Sequence, residues 1–136
     1  MGFLDRFRAS STAARAATQT FVDISGHERL AVVGESHYQP ALAAIAGPKR
    51  AGGVKVVVQS ILAAEPENPY DSNAVAVHVS GVGKVGYLSR EDAVRYSPFV
   101  VRQAALGAAV TCEAIVLGAD AQRGTQYCVW LHISEP

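Results

Sequence analysis

The stretch Pro66–Ala93, PENPYDSNAVAVHVSGVGKVGYLSREDA, decides how this chain is organised. It opens on a crowded polar loop. Asn68 precedes a proline and is pushed to an extended conformation. Pro69 suits the second position of a tight turn over Asn68, Pro69, Tyr70 and Asp71. Asp71 and Asn73 have side chains short enough to fold back onto backbone N–H groups. NAVAVHV then alternates, with Val75, Val77 and Val79 on one face and Ala74, Ala76 and His78 on the other, which is the period of a strand. SGVG is a hairpin turn, and KVGYL is the returning strand. SRED opens a helix, with Ser89 as N-cap and Asp92 three residues on, a variant of the capping box.

Pro69, Asp71 and Asn73 suffice to make the turn, so Tyr70 is surplus to it. At the tip of a polar turn a tyrosine is either packed back on the core or displayed. A displayed ring beside a carboxylate can stack on a nucleobase while the carboxylate accepts a hydrogen bond from a hydroxyl. The residues alone leave both readings open.

Outward from this stretch, RLAVVGES reads as a short strand ending at Gly34. YQPALAAIAG reads as a helix with Pro40 early and Gly47 as its stop. VKVVVQSILAAE sets Val54, Val56 and Val58 against Lys55 and Gln59, again with strand periodicity. The helix after Ser89 is expected to run to about Leu106, with Pro98 bending or restarting it. AAVTCEAIVL and TQYCVWLHI form a final hairpin around GADAQRG. Together these predict a mainly β (α+β) domain of about six strands with two inserted helices, either a small OB-like closed barrel or a curled sheet with helices plugging its ends.

The folded domain is expected over residues 23–136, starting near Ile24. Residues 1–22 read as a flexible, weakly basic tail. MGFLDRF spaces Phe3, Leu4 and Phe7 as a short amphipathic helix would, for a membrane surface or a partner. The other reading is a frayed, partly helical tail followed by Ala, Ser and Thr with no core pattern. Its Arg- and Ser-rich, acid-poor composition also faintly resembles a transit peptide.

The chain has 136 residues, 49% of them hydrophobic, and a formal net charge of zero from 12 Lys and Arg against 12 Asp and Glu. One ordinary domain of this length can bury a core without disulfides or metal. A protein living on many phosphate contacts would be clearly basic. Arg6, Arg8 and Arg15 against Asp5 give the first 22 residues +2, which leaves −2 for the rest. Any nucleic-acid contact must therefore be local. Cys112 and Cys128 are too few for a disulfide framework. They read as buried strand residues in a reducing cytosol, or as a pair across the last hairpin. No membrane span or signal-peptide core is visible, so a cytoplasmic protein is expected.

Motifs for catalysis are missing. There is no phosphate-binding G-x-x-x-x-G-K-[ST] loop, and GVGKVG at Gly81–Gly86 lies in a hairpin and opens no helix. His27, His37, His78 and His132 have no metal-ligand spacing, and no nucleophile elbow is visible. The reading is a non-enzymatic chain without cofactor or metal.

VVGESHY, AEPENPYDSNAVAV and GKVGYLSREDA, in this order and spacing, resemble the HIRAN domain family. The resemblance covers about Leu30 to Leu117 and extends over Asp23–Glu135. It implies an OB-type barrel with helical insertions, as a stand-alone bacterial-type member without a translocase motor. Characterised members bind the 3′ end of single-stranded DNA and recognise its free hydroxyl, in DNA repair or processing. By that resemblance Tyr70 would stack on the terminal nucleotide or touch its sugar, and Asp71 would accept from the terminal hydroxyl. Asn68 matches the loop residue before the proline. His37 and Tyr38 stand where DNA-binding members carry aromatics, with Ser36 at a position that is sometimes Arg. Arg90, at a helix start, would meet a phosphate, and Tyr87 would line the same pocket. The expected partners are a single-stranded 3′ end and a repair or processing protein, bound by a monomer that is nucleoid-associated when on DNA. The alternative is a protein-interaction module on the same barrel that has lost DNA binding.

Overall fold

A computed structural model of the protein describes residues 19–136. Its elements in chain order are β1 (Thr20–Asp23), β2 (Ser25–Ala31), a 3-10 turn (Glu35–Tyr38), α1 (Gln39–Ala46), β3 (Val54–Ala64), β4 (Val75–Val79), β5 (Gly83–Tyr87), α2 (Arg90–Ala105), β6 (Ala108–Gly118) and β7 (Tyr127–Ile133). The mainly β character and the two helices are as expected, but the described residues form seven strands where about six were predicted. The expectations for the tail up to Thr18 lie outside the described residues.

The sheet runs β2-β7-β6-β3-β4-β5, with β1 added in parallel beside the first half of β6. The additional strand is β1, in a stretch whose short TFVD pattern carries no strand signal of its own. It forms because β6 offers it an edge: Thr20–Asp23 pair with Ala108–Thr111. At Ile24 the chain changes neighbour. Its N–H donates to the Thr111 carbonyl at 2.8 Å, and its own carbonyl accepts from the Ser134 N–H at 2.7 Å. The β2–β7 register shifts between Ser25 and Glu28. Gly26 permits this, since a Cβ there would stand 2.7 Å from the Ser134 backbone nitrogen.

The expected closed barrel is not formed. β2 and β5 are the two ends of the sheet, and they meet only in one isolated bridge, where Val33 and Tyr87 exchange hydrogen bonds of 2.8 and 2.9 Å. The ladder stops there because Gly34, at φ 76°, turns the chain away into the 3-10 turn. The close approach at this bridge needs Gly86, where a Cβ would lie 2.4 Å from Val32 Cγ1 and 2.7 Å from the Val33 carbonyl oxygen.

The helices obey their local signals. α1 carries Pro40 in its first turn and ends at Gly47, at φ 85°. α2 is capped by Ser89, whose hydroxyl accepts from the Asp92 N–H at 3.1 Å. Pro98 does not end or restart α2, which runs on to Ala105. Pro98 and Val94, whose carbonyl loses its partner to the proline, are both exposed, so water can serve that carbonyl.

The core lies between the inner sheet face and the two helices. It contains Leu42, Val75, Val77, Val85, Tyr96, Val116, Leu131 and Ile133, all fully buried. Tyr96 anchors α2 by donating from its hydroxyl to the Ser134 carbonyl at 2.8 Å. Burial first of all pushes its phenol up to about 12. Cys112 is buried in β6, and Cys128 pairs opposite Leu117 in β7. The two thiols are free and are not cross-strand neighbours, so the hairpin disulfide is excluded by register.

Candidate nucleic-acid interface

The loop between β3 and β4 is built almost entirely from its own polar groups. The Glu65 N–H donates to the Ala74 carbonyl at 2.8 Å and closes its base. Asn68 Oδ1 accepts from the N–H of Tyr70 at 2.8 Å and of Asp71 at 3.2 Å. Asp71 Oδ1 accepts from the Asn73 N–H at 2.9 Å. These are the side-chain turns that Asn and Asp make in short loops. The outcome is a hydrogen-bonded loop that leaves Tyr70 82% exposed. The ring is displayed rather than packed back.

Behind the loop lies a shallow depression of about 220 Å³ lined by Val33, Tyr70, Asp71, Ala74, Tyr87, Leu88 and Arg90. Three elements converge here. The loop supplies Tyr70 and Asp71. The end of β5 supplies Tyr87, placed by the bridge to Val33. The start of α2 supplies Arg90, whose Nη2 donates to the Tyr70 carbonyl at 2.7 Å. A guanidinium has five N–H donors, so this bond leaves others to face a ligand.

Four of the seven residues singled out from sequence, Tyr70, Asp71, Tyr87 and Arg90, thus line one depression. Asn68 does not line it and instead holds the loop in shape. His37 and Tyr38 lie in the 3-10 turn that follows Gly34, exposed and half-buried respectively, and neither lines the depression. Gly34 itself flanks Tyr87, with a Cβ there 4.0 Å from the Tyr87 ring.

Two residues that sequence reasoning missed tie the loop to the sheet. Lys84 Nζ donates to Glu65 Oε2 at 2.6 Å and to the Tyr87 hydroxyl at 2.7 Å. The Tyr87 hydroxyl donates to Glu65 Oε1 at 3.0 Å, and the same oxygen accepts from Asn68 Nδ2 at 3.0 Å. Partial burial pushes the Glu65 carboxyl up, but the hydrogen bonds from Lys84, Asn68 and Tyr87 together hold it below the usual carboxylate value. The Glu65 carboxylate, and next the Tyr87 hydroxyl, push the Lys84 ammonium above its ordinary value. Burial, and then the charge of Lys84, hold His78 below the ordinary imidazole value. The only sequence signal for this cluster was the opposite charge of Glu65 and Lys84.

Electrostatically the site is mixed. Arg90 is its cation, Lys84 is paired with Glu65, and α2 continues with Glu91 and Asp92. Among the described residues, no group of three or more His, Cys, Asp and Glu side chains is placed to hold a metal ion. No described helix is long and apolar enough to cross a membrane.

A small, mainly β domain with two helices and a pinned loop displaying a tyrosine beside an acid and an arginine is the class these features define. The chain matches the HIRAN domain family over residues 25–134, and it belongs to that family. Among solved structures it is similar to the HIRAN domain of human HLTF, at 20% identity over 82% of this chain and 79% of that chain, with a TM-score of 0.42. It is also similar to a protein from Lactobacillus plantarum, at 22% identity over 79% of this chain and 93% of that chain, with a TM-score of 0.45. No curated protein matches it.

Proposed function

We propose that the depression beside the β3–β4 loop binds the 3′-hydroxyl end of single-stranded DNA, in a DNA repair or processing setting. The observation that carries this reading is Tyr70, 82% exposed on a hydrogen-bonded loop and sharing one depression with Asp71, Tyr87 and Arg90. Holding a large aromatic in water on such a loop brings no folding benefit, whereas a base can stack on it.

In this reading Tyr70 stacks on the terminal base or its sugar. Asp71 accepts from the terminal hydroxyl with the carboxylate oxygen that Asn73 does not use. Arg90 meets the adjacent phosphate with its free N–H groups, helped by the first turn of α2. Tyr87 forms the floor. His37 and Tyr38, on the turn beyond Gly34, extend the path toward the preceding nucleotide, and Asn68 keeps Tyr70 and Asp71 in place. The chain acts as a monomeric binding module without catalysis or cofactor. It would work in the cytoplasm, at the nucleoid when bound to DNA, alongside a repair or processing protein.

Fluorescence anisotropy with labelled single strands ending in 3′-hydroxyl or 3′-phosphate tests this. The hydroxyl end should bind about tenfold tighter or more, because a phosphate set against Asp71 brings like charges together. Asp71→Asn should shrink that preference while keeping the turn, since an amide oxygen can still accept from Asn73. Equal binding of the two ends would sink the reading. Because the chain is neutral overall, the salt dependence should be shallow.

A second reading, a protein-interaction surface, is favoured by the pairing of Lys84 with Glu65 and by Glu91 and Asp92 beside Arg90. Failure of both oligonucleotides to bind at low salt would select it.

A further inference from the structure

On the far side of the loop, an apolar groove of about 470 Å³ runs between the C-terminal half of α2 and the strands β3 and β6. It is lined by Ile61, Ala63, Val101, Ala104 and Ala108 among others, and by Gln19. Its size is that of a small-ligand cleft, about 300–1,000 Å³. Nothing charged lines it, and Val101 is left 46% exposed. Small alanines on both walls leave space that large side chains could fill.

Gln19 decides what fills it. This residue is the first one described, and it lines the groove. Its side-chain amide donates to the Gly107 carbonyl at 3.1 Å, which ties the chain to the turn between α2 and β6. Residues 1–18 therefore continue from the wall of the groove. Their large apolar residues after Met1 are Phe3, Leu4 and Phe7. The connecting Arg8–Thr18 is Ala, Ser, Thr and Arg only. At about 3.3–3.6 Å per extended residue it reaches any point of the groove. Linkage through so few residues also holds Phe3, Leu4 and Phe7 at an effective concentration of order millimolar. A weak apolar contact is then enough to favour this segment over a partner in trans.

We propose that Phe3, Leu4 and Phe7 of the same chain dock in this groove and cover it. The docked residues lie against β3 just before the loop that carries Tyr70, and the inference does not depend on what that loop binds.

The test is photo-crosslinking in the full chain, with p-benzoylphenylalanine in place of Phe7 and mapping by mass spectrometry. The expected result is an intramolecular crosslink to Ile61–Ala64 or to Val101–Ala108, with a yield independent of protein concentration. Ala104→Glu should cut that yield roughly fivefold or more, because it places a charge in the apolar groove. Glutamate is a good helix former at this exposed position, so the fold should survive, and circular dichroism checks that it does. Val57→Glu, a change at an exposed residue outside the groove, should leave the yield unchanged. Crosslinks only between copies, crosslinks elsewhere in the fold, no crosslink, or a groove crosslink insensitive to Ala104→Glu would each overturn the proposal.

Discussion

Two loops of this chain are fixed by the same device and put it to opposite uses. In the loop after β6, Asp120 Oδ1 accepts from the N–H of Gly52, Gln122 and Arg123 at 3.3, 2.9 and 3.4 Å. That loop carries Ala121, Gln122, Arg123 and Gly124 on its surface and displays no aromatic. In the loop after β3, Asn68 and Asp71 capture backbone N–H groups in the same manner, and the result is an exposed tyrosine above a depression. Turn chemistry alone therefore does not mark a site. What separates the loops is a large side chain held out in water, with an acid and an arginine converging on it from other elements.

The largest expected effect comes from Asn68→Ala, which breaks the display loop itself. It removes the acceptor for two backbone N–H groups and the donor to Glu65. Urea unfolding should show a loss of about 1–2 kcal/mol. Oligonucleotide binding should fall further, since Tyr70 and Asp71 lose their placement together. Tyr70→Ala separates the two consequences. The ring is exposed, so the unfolding midpoint should stay within about 0.5 kcal/mol. Binding measured by anisotropy should weaken by about 1–3 kcal/mol, the value of one base stack. If Tyr70→Ala destabilised the fold and left binding intact, the contrast between the loops would be wrong.

Asp120→Ala is the mirror experiment. It should lower stability by about 1 kcal/mol through its lost backbone bonds and leave binding unchanged. The smallest effect concerns pH. Glu65 is held below its ordinary value of 4.5 in the folded state, so its contribution is present above that value and is lost as pH falls through the lowered one. Urea midpoints stepped downward from pH 5 should fall faster for the native chain than for Glu65→Gln. The difference should stay under about 1 kcal/mol, as for other partly exposed pairs. Parallel curves would show that the Glu65–Lys84 pair contributes nothing to holding the loop.

The Lys84 cluster shows why part of the site was illegible. In a regular strand, residues three apart face opposite sides, so Lys84 and Tyr87 should not meet. The β4–β5 register shifts between Val77 and His78, which pair with Gly86 and Lys84 and skip Val85. That bulge changes the alternation and brings Lys84 to the Tyr87 hydroxyl. Gly86 is the one residue of KVGYL that hints at it, as an interior strand glycine can mark a bulge. By contrast, Tyr70 and Asp71 of AEPENPYDSNAVAV and Tyr87 and Arg90 of GKVGYLSREDA were singled out through the resemblance, and the fold brings those four to one depression while His37 and Tyr38 of VVGESHY stay outside it.

The sequence by itself determined the features that rest on bonds between near neighbours. These are the Ser89 cap, the Pro40 and Gly47 limits of α1, the SGVG hairpin, and the Asp71 side chain folded back onto the Asn73 N–H. Each involves groups a few residues apart, so residue type and spacing suffice. Tertiary structure decided the rest: β1 lying parallel to β6, the sheet left open but for Val33 and Tyr87, Pro98 carried inside an unbroken helix, and Arg90 reaching the Tyr70 carbonyl. Those outcomes depend on which distant surface offers an edge, a partner or water, and that is fixed only once the whole chain has folded.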